Sequence, residues 1–75
     1  YLDILYATSQ AVDVPTASYI VSGEMAMIAA AAAAGSLERE RAILEVLGSV
    51  KRAGASVICT YWAIEAAQML KKNLA

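Results

Sequence analysis

Two short apolar segments, separated by more than thirty residues, constrain the fold of this chain more than any other feature. Residues 16–21 and 56–60 are rich in β-branched and aromatic side chains and are apolar or small on both faces. This pattern is typical of strands buried in a parallel sheet. Parallel strands require a long crossover connection, which is right-handed in nearly all proteins, and the intervening residues are numerous enough to form one. The chain is therefore predicted to contain a β-α-β arrangement.

The other segments have the properties of helices. Pro15 forces extended backbone after the first of them, and Gly54 follows the third, where a residue with positive φ would fit. Ser36 is the expected N-terminal cap of the third helix. The order is therefore helix, strand, helix, helix, strand, helix. The four helices are predicted over residues 2–11, 25–34, 37–53 and 64–74.

The composition indicates a piece of a larger α/β protein. Of the 75 residues, 60% are hydrophobic and 17% are charged, so the chain carries more apolar surface than so short a core can cover. Two parallel strands alone also leave two free edges. We therefore expect residues 1–75 to form a single fragment of an open α/β sheet or a (β/α)8 barrel, and not an independent domain. The start at Tyr1, without methionine, agrees with this expectation.

Charge and residue types argue against several classes of function. The net charge is −1, with acidic and basic residues spread along the chain, which favours neither nucleic acid nor an anionic membrane as a partner. The longest uncharged run, residues 25–37, is shorter than the roughly 20 residues of a membrane span. The chain has no histidine and one cysteine, Cys59, which is expected to be buried and inert and cannot form an internal disulfide. We expect no metal site in this chain and a cytoplasmic location.

Residues of chemical interest follow both predicted strands. Ligands of parallel α/β proteins bind beyond the carboxyl ends of the strands, which here precede Ser22 and Tyr61. Ser22 lies where a helix begins, and the unpaired amides of a helix start favour a carboxylate. Taken alone, Ser22 would more often be a helix cap and Tyr61 a core aromatic. Glu24 is expected to interact favourably with the dipole of the helix that it begins, rather than to act as a general acid or base.

Four blocks of sequence match a known pattern in order and separation: residues 1–4, 19–24 with Ala26 and Met27, 51–55, and 60–61. Together they resemble the C-terminal part of the porphobilinogen synthase (5-aminolevulinate dehydratase) family. The resemblance implies the last quarter of a (β/α)8 barrel and a lyase that condenses two molecules of 5-aminolevulinate to porphobilinogen with loss of water. The family pattern differs at Met25, Ser56 and residues 62–64.

The resemblance also assigns residue roles. Ser22 and Tyr61 match the serine and tyrosine that hydrogen-bond the carboxylate of the substrate held as a lysine Schiff base. The lysines of the reaction and the zinc or magnesium positions lie upstream in the family, and Cys59 does not match the zinc cysteines. No catalytic residue is therefore expected in this chain, which should be inactive alone. The implied partners are 5-aminolevulinate, the remainder of the barrel and further copies of the protein, commonly in an octamer.

A second interpretation is a non-catalytic α/β interaction or structural module that buries its apolar faces on a partner. The two interpretations predict different sequence upstream of Tyr1. A lysine followed by proline a few residues earlier, at the end of another strand, would support the enzyme. A start codon immediately before Tyr1 would favour the module.

Overall fold

A computed structural model of the chain describes residues 1–74 and confirms the predicted order of helices and strands. Both strands are shorter than predicted: the first lacks Thr16 and Val21, and the second lacks Ser56, although the Ser56 N–H still donates to the Thr16 carbonyl oxygen at 2.8 Å. The elements are α1 (Leu2–Ala11), β1 (Ala17–Ile20), α2 (Ser22–Ala33), α3 (Arg39–Ala53), β2 (Val57–Thr60) and α4 (Ala63–Leu74).

The two strands lie side by side in one parallel sheet. Ala17 is the register partner of Val57, and Ile20 is the partner of Thr60. Helices α2 and α3 form the crossover between the strands, which confirms the predicted β-α-β arrangement. Because the strands are parallel and in register, their carboxyl ends lie at the same edge of the sheet.

Only one face of this sheet is covered by the part of the chain that the structure describes. Burial alternates along both strands, with one face buried or half-buried and the other exposed. The prediction that the strands are buried on both faces is therefore wrong for this chain, as is the predicted burial of Cys59, which is exposed. Residues 1–74 supply helices for one face only. The exposed face carries Ala17, Tyr19, Val57 and Cys59.

The hydrophobic core lies between the covered face of the sheet and the helices. Helix α3 packs against the other three helices, and its stripe of Ile43, Leu47 and Val50 recurs at the spacing of one helical face. Lys51 and Arg52 lie in its last turn, where their positive charges interact favourably with the negative end of the helix dipole. The buried core side chains are Ile20, Ile43, Val50, Ala55, Trp62 and Met69.

Two helices begin at residues that differ from the prediction. Helix α2 begins at Ser22, three residues early, so that only Val21 separates it from β1. Glu38 occupies the N-cap position of helix α3, without a capping hydrogen bond from its side chain, so the prediction of Ser36 as the cap is wrong. The Ser36 N–H instead donates to the carbonyl oxygen of Ala31 at 2.9 Å, which closes the end of α2 in a Schellman motif around Gly35 at φ 82°.

Candidate functional site

Ser22 and Tyr61, hereafter the strand-end hydroxyls, follow the carboxyl ends of the two paired strands. Ile20 and Thr60 are register partners. Ser22 lies two residues after the first of them, and Tyr61 lies one residue after the second. The backbone therefore brings both residues to the same edge of the sheet. Within residues 1–74 the two hydroxyls are not hydrogen-bonded to each other.

The hydroxyl of Ser22 is not used to cap its own helix. Ser22 is the first residue of α2, the cap position is Val21, and no side chain caps this helix. The first helical hydrogen bond runs from the Met25 N–H to the Val21 carbonyl oxygen at 3.2 Å, so the N–H groups of residues 22–24 precede it. A Cβ built on Gly23 would meet nothing within 4 Å. Ser22 thus presents a hydroxyl beside unpaired amides and open space, an arrangement that suits a carboxylate.

Tyr61 is held outside the core by its two neighbours. Trp62 is only 2% exposed and belongs to the core. The backbone N–H of Trp62 donates to Thr60 Oγ1 at 3.1 Å, and this bond closes the turn between β2 and α4. Because Trp62 occupies the core side of this turn, Tyr61 lies on the other side and is 62% exposed. This exposure argues against Tyr61 as a core aromatic.

Tyr19 belongs to the same cluster, although the sequence interpretation gave it no role. Its hydroxyl donates to the hydroxyl oxygen of Tyr61 at 3.4 Å, and the two ring centroids lie 6.5 Å apart at an interplanar angle of 46°. The hydrogen bond to Tyr61 raises the pKa of Tyr19 above its usual 10.0, with smaller contributions from partial desolvation and from the charges of Tyr61 and Cys59. The sequence signal that could have located Tyr19 is the alternation of side chains along a strand, which places Tyr19 on the opposite face of the sheet from its neighbour Ile20.

One cavity lies beside the two tyrosines, and a larger groove lies away from them. A cavity of about 150 Å³ near the carboxyl end of β1 is lined by Tyr19, Glu24 and Tyr1, among others. A larger groove of about 360 Å³ lies along α4 and is lined by residues such as Ile64 and Ala67. The groove along α4 is larger and mostly apolar, and neither cavity is lined by Ser22 or Tyr61. The position of the candidate site therefore rests on the strand ends and not on a cavity. Glu24 lies in the first turn of α2, as expected of a dipole partner.

Metal ligands and reactive amines are not gathered at the strand ends. Across residues 1–74, no three or more cysteine, aspartate or glutamate side chains are close enough together to hold a metal ion. By themselves, these residues therefore do not form a zinc or magnesium site. Lys51 lies in the last turn of α3, and Lys71 and Lys72 lie in that of α4. Within the same described range, no helix has both the length and the apolar character needed to cross a membrane.

Comparison with known proteins gives one consistent result. A family model described as delta-aminolevulinic acid dehydratase matches residues 1–69. The chain is 56% identical over 71 residues to the delta-aminolevulinic acid dehydratase of Streptomyces coelicolor, covering 95% of this chain and 22% of that relative. It is 47% identical over 68 residues to the enzyme of the same name from Escherichia coli, covering 91% of this chain and 21% of that relative.

A solved structure has the same backbone arrangement. It is the crystal structure of delta-aminolevulinic acid dehydratase (porphobilinogen synthase) from Toxoplasma gondii in complex with the reaction product porphobilinogen. It superposes with a TM-score of 0.89 at 45% sequence identity, over 92% of this chain and 20% of that one. The chain thus spans about a fifth of the length of these similar proteins.

Proposed function

This chain belongs to the delta-aminolevulinic acid dehydratase family, and from that premise we propose that it supplies the carboxylate-binding part of a porphobilinogen synthase. The complete protein would act as a lyase that condenses two molecules of 5-aminolevulinate to porphobilinogen. One observation carries the proposal. Two hydroxyl side chains follow the ends of register-paired parallel strands, where ligands of such folds bind. The Ser22 hydroxyl does not cap its helix, and the hydrogen-bond partner of the Tyr61 hydroxyl is the neighbouring hydroxyl of Tyr19.

Ser22 and Tyr61 would each donate a hydrogen bond to the carboxylate of one 5-aminolevulinate. A carboxylate only accepts hydrogen bonds, so two hydroxyl donors match it chemically. The first N–H groups of α2 add partial positive charge on the same side, because no carbonyl of the helix accepts from them. Hydrogen bonds to a charged group are shorter and stronger than those between neutral groups. The two residues would thus bind and orient the substrate rather than react with it.

The amine that reacts with the substrate would come from outside this chain. The lysines of the described residues lie in the last turns of α3 and α4, not at the strand ends. By the family resemblance, the Schiff-base lysine precedes Tyr1. By the same resemblance, any zinc or magnesium of the complete protein would be held by residues upstream, and residues 1–74 do not by themselves form a metal site. The 75-residue chain alone should therefore be inactive.

The remainder of a (β/α)8 barrel is the proposed partner of the exposed sheet face. Tyr19, Val57 and Cys59 on that face are exposed, and each strand has one edge without a neighbour among residues 1–74. Both features suit a chain that forms the last quarter of a barrel. Assembly of the complete protein into an octamer is proposed from the family resemblance alone. The cytoplasmic location stays a prediction, since one relative, from Physcomitrium patens, is named as chloroplastic.

The alternative is a non-catalytic module that covers its apolar faces with a partner protein. Its support is the same exposed face, which any partner could cover. The identity to named dehydratases over nearly the whole chain favours the enzyme. A module that binds no substrate would also give no reason to expect hydroxyl side chains after both strands.

Substitution of the strand-end hydroxyls in the complete protein tests the proposal. Ser22→Ala and Tyr61→Phe should each raise KM for 5-aminolevulinate by about tenfold, because one hydrogen bond to a charged group contributes roughly 1.5 kcal/mol. Ser49→Ala is a matched control, since the Ser49 hydroxyl donates to the Glu45 carbonyl oxygen at 2.8 Å within α3. Its KM should be that of the wild type. Wild-type KM values for both site variants would show that these residues do not bind the substrate.

A further inference from the structure

We propose that Tyr19 positions Tyr61 for the substrate carboxylate by donating its own hydroxyl proton to the Tyr61 oxygen. The inference rests on the proposed function, which makes Tyr61 a donor to that carboxylate. Its direct basis is the distance of 3.4 Å between the two hydroxyl oxygens, with Tyr19 as the donor. This is long for a hydroxyl pair, and hydrogen bonds of binding sites are often long before the ligand is bound.

The number of protons determines the direction of the hydrogen bonds. Each tyrosine hydroxyl has one proton, and a carboxylate has none to give. If Tyr61 donates to the carboxylate, it has no proton left for Tyr19, so the contact between the two tyrosines must have Tyr19 as donor. The resulting order is Tyr19 to Tyr61 to carboxylate. Successive hydrogen bonds of this kind polarise one another, so the bond to the carboxylate becomes stronger.

The backbone, rather than a chance side-chain rotation, brings the two tyrosines together. Tyr19 is the register partner of Cys59, and Tyr61 lies two residues beyond Cys59, on the same exposed side. Each tyrosine also adjoins a buried residue, Ile20 in one case and Trp62 in the other. These two core residues fix the backbone from which each ring extends. The hydroxyl contact is therefore a product of strand register.

The titration of Tyr19 agrees with its role as the donor. The hydrogen bond to Tyr61 is the largest of the effects that raise the pKa of Tyr19. A raised pKa means that the protonated form is favoured, and only that form can donate. The groups that act on Tyr19 are Tyr61 and Cys59, neither of which carries a fixed positive charge that would favour tyrosinate. Tyr19 thus keeps its proton for donation to Tyr61.

A double-mutant cycle in the complete enzyme tests the positioning role. The variants are Tyr19→Phe, Tyr61→Phe and the double substitution, each of which keeps the aromatic ring and removes only a hydroxyl. Tyr19→Phe should raise KM for 5-aminolevulinate by about fivefold, less than Tyr61→Phe, since it removes a hydrogen bond between neutral groups. The double variant should have the KM of Tyr61→Phe alone, because Tyr19 acts only through Tyr61. Tyr6→Phe, an exposed tyrosine on α1, is the control and should match the wild type.

The possible outcomes separate this inference from the proposed function. A raised KM for Tyr61→Phe combined with a wild-type KM for Tyr19→Phe would overturn the positioning role and keep the carboxylate site. The positioning role is likewise overturned if the two increases multiply in the double variant, since Tyr19 would then act independently of Tyr61. A wild-type KM for Tyr61→Phe would refute the assignment of Tyr61 to the carboxylate, and the positioning role with it.

Discussion

Replacing Gly54 with alanine should loosen the packing of α1 against the end of α3. Gly54 follows α3 with φ at 126°, a backbone conformation that L side chains rarely adopt. A Cβ built there would lie 2.6 Å from the Cβ of Ser9, and closer still to its hydroxyl oxygen. The hydroxyl oxygen can rotate away about χ1, but the Cβ is fixed by the helical backbone and cannot move without shifting α1. Two separate penalties are therefore expected.

The magnitude of each penalty can be judged from a second glycine. Gly35 also has positive φ, at 82°, but a Cβ built there would meet nothing within 4 Å. Gly35→Ala should therefore cost only the backbone strain of about 1 to 2 kcal/mol. Gly54→Ala should cost that strain and a further 1 to 3 kcal/mol or so for the forced contact with Ser9. A loss of about 3 kcal/mol is the central expectation.

Hydrogen exchange of the complete protein measures this loss locally. Amide exchange of peptides that cover α1 and α3 gives the free energy of local opening, without the need for the whole protein to unfold in one step. Gly54→Ala should speed exchange in both helices, and Gly35→Ala only near the end of α2. Ser9→Gly in the Gly54→Ala background should recover the contact penalty, as a coupling energy of at least about 1 kcal/mol. Absence of coupling would show that the two residues do not touch, and would refute the packing described for α1.

Two further predictions concern the turn before α4 and an ion pair. Thr60→Val removes the acceptor of the backbone N–H of Trp62. It should cost about 1 kcal/mol of local stability, measured by hydrogen exchange, and raise KM of the complete protein for 5-aminolevulinate. Thr60→Ser keeps a hydroxyl acceptor and should have wild-type local stability and KM. Unchanged values in Thr60→Val would mean that the turn does not depend on this bond. Arg39 donates two hydrogen bonds to Glu65, at 3.1 and 2.9 Å, and these lower the pKa of Glu65 below its usual 4.5. The small stabilisation by this exposed pair should be complete above pH 4.5 and be lost as the pH falls through the lowered pKa of Glu65. An acid titration of stability should detect this loss in the wild type but not in Glu65→Gln, which has no carboxylate to protonate at this position. Identical acid titrations would contradict the pairing.

The elements of this fold could be predicted from the sequence, because each has a strong local signal. The period of α3, the proline after α1 and the β-branched runs each correspond to an observed helix, turn or strand. The start of α2 could not be predicted, because serine and glycine are weak helix formers. They are tolerated in the first turn, where the N–H groups lack helical acceptors in any case. Ser36 resembles a cap, but its N–H belongs to the end of α2.

The candidate site was only partly visible in the sequence for a different reason. Ser22 and Tyr61 follow segments that are recognisable as strands, so their common edge could be predicted. The pairing of Tyr19 with Tyr61 depends on strand register, which no local pattern of this chain specifies, since both faces of both strands are apolar or small. The same ambiguity explains the wrong prediction for Cys59. Which face the helices cover is decided by tertiary packing.

The single residue between β1 and α2 has a consequence for the thermodynamics of binding. With only Val21 between strand and helix, the backbone of Ser22 cannot sample the conformations of a flexible loop. Ordering a loop on binding opposes affinity through lost conformational entropy. This junction has almost no such freedom to lose. Its contribution to substrate affinity should therefore be mainly enthalpic, and a Gly-Gly insertion after Val21 should weaken binding through entropy while leaving both hydroxyls in the chain.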